Sequence, residues 1–283
     1  MNDVFDIKRF GKYFLYDLNN ARGNFAVSAI TIALLPLILM VFNTIFGLLF
    51  SGEVPTIPVP VKVTIMLCAF LICVLSAPVK LYGSLTERRY GSDWLMLPAS
   101  SFEKFLSMAI MLCIVLPVVV FGLFSICDLL LSWILPGTYG ESVVKVIGNG
   151  FGDLDAYVDA AMSDSDSLLV VTPASLSLAG WLGWCAAVLP FGLGAICFKK
   201  GKSAKTILVI IGVDVILSTL MVLLLKGGYD SGYELGQRLQ RFFGDMTAEK
   251  LEFWSNFLVN FVTFIIVGGL LTGLFFRIKT LKH

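Results

Sequence analysis

Six apolar runs constrain this sequence more than any other feature. A helix needs about 20 apolar residues to cross about 30 Å of hydrocarbon. The runs lie at residues 25–50, 61–82, 105–135, 176–198, 207–225 and 253–276. The second is free of charge only from Val63 to Val79, but Lys80 and Tyr82 close it with side chains that favour the membrane interface. Since 57% of the 283 residues are hydrophobic, the chain predicts an all-α, polytopic membrane protein.

The segment before the first run predicts an amphipathic helix lying in the membrane interface. Apolar residues recur there at three- and four-residue steps, and charged residues stand between them. The apolar positions are Val4, Ile7, Phe10, Phe14 and Leu18, and the charged ones are Lys8, Arg9, Lys12 and Asp17. We therefore divide the chain into residues 1–24, an interfacial helix, and 25–283, a six-span domain. The helix is either a simple anchor or an elbow that moves with a partner subunit.

The basic residues predict which side of the membrane each end occupies. Fifteen of the 21 Lys and Arg fall on the side that holds both termini and the segment between the second and third runs. Because cytoplasmic loops carry the excess of basic residues, this predicts a cytoplasmic (inner) membrane protein with both termini in the cytoplasm. The basic residues form no single face, so a nucleic-acid partner is not expected. The cluster Lys199, Lys200, Lys202 and Lys205 fits the same rule, with contact to membrane lipid headgroups.

Two longer loops are predicted on the outer side, at residues 136–175 and 227–252. The first is acidic and glycine-rich in its middle. The second mixes aromatic and polar residues, which favours a partly helical segment at the outer interface.

The sequence lacks the residue patterns that metal binding, nucleotide binding and nucleophilic catalysis need. The six cysteines lie in apolar runs and the only histidine is His283, so neither a metal site nor a cofactor is expected. Gly201-Lys202-Ser203 resembles the end of a phosphate-binding loop, but that motif needs a glycine at the position of Ile196. An enzyme is not expected, since no histidine base accompanies a Ser or Cys nucleophile.

Two acidic residues stand within apolar runs and are candidates for a translocation path. Asp128 lies about two-thirds along the third run and Asp214 about eight residues into the fifth. Charged groups at membrane depth are costly and are functional candidates by default. For Asp128 the alternative is a structural role near the outer interface, and for Asp214 it is a polar contact between helices.

Residues 85–104 form the most distinctive polar stretch. Its first half carries Glu87, Arg88 and Arg89, which a bilayer interior would not accept. In its second half, Ser100 is placed as the N-cap of a helix and Glu103 stands at the third helical position, the spacing of a capping box. The stretch predicts a docking element that leads into the third span.

The same stretch resembles a segment of ABC type-2 transporter permeases. Their cytoplasmic loop between the second and third spans carries a pattern like E-R-x-x-G, a hydrophobic stretch, L-P-x-S and a following helix, which together form the coupling helix that docks on the ATP-binding subunit. Here the matching residues are Glu87-Arg88, Gly91, Leu95 to Ser100 and Glu103 to Phe105. An N-terminal interfacial helix, six spans and both ends inside are also similar. The long acidic loop after the third span departs from the family.

The resemblance implies a permease subunit of an ATP-driven exporter, working as a homodimer or with a second permease beside a separate ABC ATPase. Ion pairs and apolar anchors would give the docking surface its orientation and its affinity. The expected docking residues are Glu87, Arg88, Arg89, Gly91, Trp94, Leu97, Pro98, Ser100 and Glu103. The alternatives are a secondary carrier or channel that uses Asp214 and Asp128, and a non-transporting scaffold or sensor.

Overall fold

The chain is all-helical wherever its structure is described. The computed structural model describes residues 5–50, 52, 54–86, 94, 96–148, 173–226 and 248–280. The helices in this part are α1 (Ile7–Ala33), α2 (Leu35–Phe50), α3 (Val59–Tyr82), α4 (Ser101–Ile110), α5 (Leu116–Ile134), α6 (Pro136–Tyr139), α7 (Val143–Gly148), α8 (Pro173–Cys197), α9 (Lys202–Lys226) and α10 (Ala248–Thr280). A 3₁₀ turn, Gly83–Thr86, follows α3, and a π-helical segment, Met111–Val115, joins α4 to α5.

Six helical stretches of the described chain are long and apolar enough to cross a membrane. They are Ile7–Phe50, Val59–Thr86, Ser101–Ile134, Gly180–Cys197, Lys202–Leu220 and Asn256–Thr280. Each overlaps one of the six runs predicted from the sequence, so the chain has the architecture of a multi-pass membrane protein.

The first span differs from the sequence expectation in where the helix is interrupted. α1 continues through Asn24 without a break, and the interruption falls at Leu34. No helix-breaking residue follows Asn24 until Pro36, whose ring removes a backbone donor. The expected interfacial helix is therefore the first part of a continuous helix that begins after the N-cap Asp6.

The core lies between α1, α3, α4, α5, α8 and α10. α8 packs against α3, α9, α10 and the π segment, and its Val188, Leu189 and Ile196 are fully buried. α9 is different: it packs through its first turn, where Lys202 and Thr206 are buried, and most of its apolar side chains are exposed. A glycine at position 194 allows this contact, since a Cβ there would lie 1.8 Å from Thr206 Oγ1.

The π segment is stabilised by two tryptophans of α8. Pro117 follows the segment and has no N–H, so a carbonyl one turn earlier loses its helical partner. The indole Nε1 of Trp184 donates to Leu112 O at 2.9 Å, and that of Trp181 donates to Cys113 O at 3.0 Å. These bonds satisfy backbone groups that hydrocarbon could not satisfy.

Candidate functional site

The helix ends gather polar residues into two clusters, one at each end of the bundle. We call the first the Glu103 end; it contains the starts of α1 and α4, the end of α3 and the turn between α8 and α9. We call the second the Tyr139 end; it contains the start of α3, the end of α5 and α6.

At the Glu103 end, the predicted capping box is confirmed. Ser100 Oγ accepts from the Glu103 backbone N–H at 3.2 Å, and Glu103 Oε2 accepts from the Ser100 N–H at 2.8 Å. These two bonds satisfy donors that the first turn of α4 would otherwise leave without partners. The start of α4 is therefore fixed as the spacing of the sequence indicated.

The same carboxylate also holds the start of α1. Arg9 Nε lies 2.8 Å from Glu103 Oε2, and its Nη2 lies 2.6 Å from Oε1. The Asp6 backbone N–H donates to Oε1 at 3.0 Å. Glu103 is 0% exposed, so it joins α1 to α4 and offers no surface to another protein. Ser100 is also buried, so within the single chain these two expected docking residues hold the start of α4 in place.

Trp94 belongs to this internal network as well. Its Nε1 donates to Tyr13 Oη at 2.8 Å. Lys104 Nζ donates to the Trp94 carbonyl at 2.8 Å and lies 4.6 Å from the centroid of its ring. The indole is half-buried against the main core. Trp94 is therefore anchored to α1 and α4.

Three residues between these two anchors, Met96, Leu97 and Pro98, are at least partly exposed. Met96 is 82% exposed, Pro98 is exposed and Leu97 is half-buried. We call residues 96–98 the strap. It is an apolar surface held at one side by Trp94 and at the other by the capping box. The expected docking residues Glu87, Arg88, Arg89 and Gly91 lie outside the described residues.

A buried carboxylate at the Glu103 end was missed by the sequence reasoning. Asp17, interpreted there as part of a polar face, is buried and accepts hydrogen bonds from Tyr82 Oη at 2.9 Å and Ser107 Oγ at 2.7 Å. It links α1 to α3 and α4. A signal existed, because Asp17 stands seven residues after Phe10 and three after Phe14, on the apolar stripe of α1.

The four lysines of the basic cluster, at the Glu103 end, lie in two different environments. Lys199, Lys200 and Lys205 are exposed, as expected for contact with headgroups. Lys202 is buried, and its Nζ donates to the Gly83 carbonyl. Its assignment to the headgroup cluster is therefore wrong: the side chain fastens the start of α9 to the end of α3.

At the Tyr139 end, Asp128 has a structural environment. It is 0% exposed. Tyr139 Oη donates to its Oδ1 at 2.5 Å, and the Val144 N–H donates to Oδ2 at 3.4 Å. Lys62 Nζ donates to the carbonyls of Tyr139 and Glu141 and lies 4.0 Å from the centroid of the Tyr139 ring. The structural alternative fits Asp128, which ties α6 and α7 to the end of α5.

Asp214 stands apart from both clusters. Its side chain is exposed on α9, among exposed apolar neighbours such as Val213 and Val215. No described residue of the same chain forms a hydrogen bond or ion pair with it. The polar helix contact considered for Asp214 is therefore not made within the described part of a single chain.

The described residues show no group of three or more His, Cys, Asp or Glu that could hold a metal ion. At the Glu103 end, the partly exposed residues 96–98 lie between Trp94, which is hydrogen-bonded to Tyr13 of α1, and Ser100, which is the N-cap of α4.

Comparison with known proteins returns nothing: no protein family, no curated protein and no solved structure matches the chain.

Proposed function

We propose that the chain is the membrane subunit of an ATP-driven exporter of the ABC type, and that a separate ATPase docks on the strap at residues 96–98. The observation that carries the proposal is that Met96 is exposed while Trp94 and Ser100, on either side of it, are held by hydrogen bonds. A flexible loop would lose conformational entropy on docking, whereas a pre-organised element keeps more of its binding energy. The sequence pattern around the strap supports the same partner.

The contacts on the two sides of the strap support a role in coupling ATPase movement to the membrane helices, in addition to attachment of the ATPase. Trp94 bonds to Tyr13, and Glu103 bonds to Arg9, so both sides of the strap are joined to α1. Ser100 begins α4, which continues through the π segment into the third span. Movement of an ATPase bound to the strap would then tilt α1 and α4 together.

The proposed exporter also provides a protein neighbour for the exposed face of α9. A carboxylate exposed to hydrocarbon is costly, so Asp214 needs either a protein neighbour or water. We propose that two permease subunits, two copies of this chain or this chain and a second permease, meet with α9 facing the contact, and that the transport path runs between them. The excess of basic residues at the Glu103 end supports a cytoplasmic location for the strap.

The proposal is tested by docking variants of the full chain in nanodiscs. Met96→Asp should weaken association of the ATPase by about thirtyfold or more if Met96 is a binding hot spot. Arg88→Glu should also weaken it, because it places like charges at a complementary contact. Met96→Asp should leave the folding of the chain intact, since the exposed Met96 is not part of the core. Association and vanadate-sensitive ATP hydrolysis are the measurements.

The control is Lys205→Glu, which changes charge at the same end on an exposed side chain away from the strap. Lys202→Glu is unsuitable because Lys202 is buried against Gly83, and Trp94→Ala is unsuitable because it removes an internal anchor. Wild-type association and ATP hydrolysis in Met96→Asp and Arg88→Glu would refute the docking assignment. Equal losses in Lys205→Glu would refute it too.

A carrier or channel that needs no ATPase is the second candidate, and the exposure of Asp214 favours it. Under that reading, Asp214→Asn abolishes transport in the absence of ATP hydrolysis and leaves the amount of folded protein unchanged. Under the exporter reading, transport depends on the ATPase, and the same substitution acts chiefly on the association of subunits.

A further inference from the structure

An apolar groove runs along α1 on the side that faces α5. Its walls are α1 and the π segment with the first turns of α5, and Leu81 of α3 contributes to its lining. The cavity has a volume of about 480 Å³. Its lining is apolar except at Asn19 and Arg22, which stand one turn apart on α1.

The dimensions of the groove suit a lipid acyl chain. On α1 the lining extends from Leu15 to Ala29, a length of about 21 Å at about 1.5 Å per residue. The apolar part beyond Arg22 ends at Ala29 and is about 10 Å long. Half of a hydrocarbon core is about 15 Å, so this part of the groove follows about two-thirds of one leaflet. Leu15 and Val119 on the two walls are 65% and 45% exposed, which leaves the groove open sideways to the membrane.

The polar residues of the lining identify the headgroup. Arg22 is exposed, and among the described residues no carboxylate forms an ion pair with it. A guanidinium binds phosphate oxygens with two parallel hydrogen bonds, and the amide of Asn19 adds a further donor. The groove therefore combines apolar lining from Phe25 to Ala29 with a cation midway along its α1 wall, a group that binds a lipid phosphate.

We propose that this groove binds one molecule of an anionic glycerophospholipid, with an acyl chain between α1 and α5 and its phosphate on Arg22 and Asn19. The site does not depend on the proposed function. The groove lies between the third span and α1, the helix that bonds to Trp94 and Glu103 on the two sides of the strap. The lipid would therefore fill the space between α1 and the third span.

Native mass spectrometry of the purified full chain tests the site, with phosphatidylglycerol and phosphatidylcholine of identical acyl chains as probes. The wild type should hold one phosphatidylglycerol more tightly than phosphatidylcholine. Arg22→Gln should weaken phosphatidylglycerol binding about fivefold, the contribution expected of one basic residue at a membrane surface. Ala26→Phe places a ring in the groove and should weaken both lipids.

The matched control is Lys205→Gln, which removes one positive charge at the same end of the bundle. It should leave the tightly held lipid unchanged. Equal phosphatidylglycerol binding by Arg22→Gln and the control would overturn the headgroup assignment, and because Arg22 is exposed this comparison stands even if Ala26→Phe fails to fold. Unchanged lipid binding in a folded Ala26→Phe chain would overturn the proposal. A change in oligomeric state alone would overturn it too, because it would show that the groove holds protein.

Discussion

The π segment permits a sharp test of how the chain satisfies backbone groups inside the membrane. Pro117 lacks one backbone donor, and the two carbonyls that this donor could reach, Leu112 O and Cys113 O, accept instead from Trp184 and Trp181. Replacing Pro117 with alanine supplies a backbone N–H at this turn. That donor can reach Leu112 O in the π-helical register or Cys113 O in the α-helical register. One of the tryptophan bonds should then become dispensable.

The expected magnitude follows from the burial of the two indoles. Trp184 is 3% exposed and Trp181 is 46% exposed, so Trp184→Phe should cost more. Hydrogen bonds between membrane helices contribute about 0.6 kcal/mol on average and about 1.7 kcal/mol at most. Phenylalanine retains the apolar ring, which packs on Phe70 and Phe121 at centroid distances of 5.3 and 5.4 Å. We expect Trp184→Phe to lower the free energy of unfolding by about 1 to 2 kcal/mol, since a buried carbonyl loses its donor.

A double-mutant cycle isolates the bond from the packing change. The free energy of unfolding is measured in mixed micelles for the wild type, Trp184→Phe, Pro117→Ala and the double variant, and again with Trp181→Phe. If the proline creates the need for the indole donor, the cost of one tryptophan substitution falls by about 0.5 to 1.5 kcal/mol in the Pro117→Ala background. A cost that stays the same for both tryptophans in both backgrounds would refute the reasoning.

Two further predictions concern the helix contacts. Tyr139→Phe removes the donor to the buried Asp128 and should destabilise the chain by about 1.5 to 3 kcal/mol in a thermal or denaturant unfolding assay, as expected for a hydrogen bond to a charged group; an unchanged stability would contradict the structural role of Asp128. Gly194→Ala places a Cβ 1.8 Å from Thr206 Oγ1 and should cost about 1 to 3 kcal/mol by overpacking; Thr206→Ala in the same chain should restore part of this loss, and an additive double variant would argue against the contact.

The features that the sequence predicts well are those that depend on local pattern. The six apolar runs each correspond to a helix, because the need to satisfy every backbone group within hydrocarbon leaves helix as the local solution. The capping box could be read from Ser100 and Glu103 because its two bonds join residues three apart. The break at Leu34 also had a local signal, Pro36, which the division at Asn24 overlooked.

The features that the sequence reasoning missed depend on long-range partners. Glu103 carries a capping box in the sequence, but its contact with Arg9 joins residues 94 positions apart. That contact decides that the carboxylate is buried and unavailable for docking. Lys202 is comparable: its place in a basic cluster predicts exposure, and its bond to the Gly83 carbonyl buries it. Local pattern identifies a charged side chain as interfacial, whereas tertiary packing decides what it faces.

The distribution of these buried polar contacts suggests which parts of the bundle move together. Asp17 and Glu103 join α1, α3 and α4 at one end, and Asp128 with Lys62 joins α3, α5 and α6 at the other. Separating either set would leave a carboxylate without donors in a low-dielectric interior, which is costly. α9 has no comparable restraint beyond its first turn in the described chain, where Lys202 and Thr206 are buried. If the chain works by alternating between two arrangements, α1, α3, α4 and α5 should move as one body, and the change should fall on α9 and whatever covers Asp214.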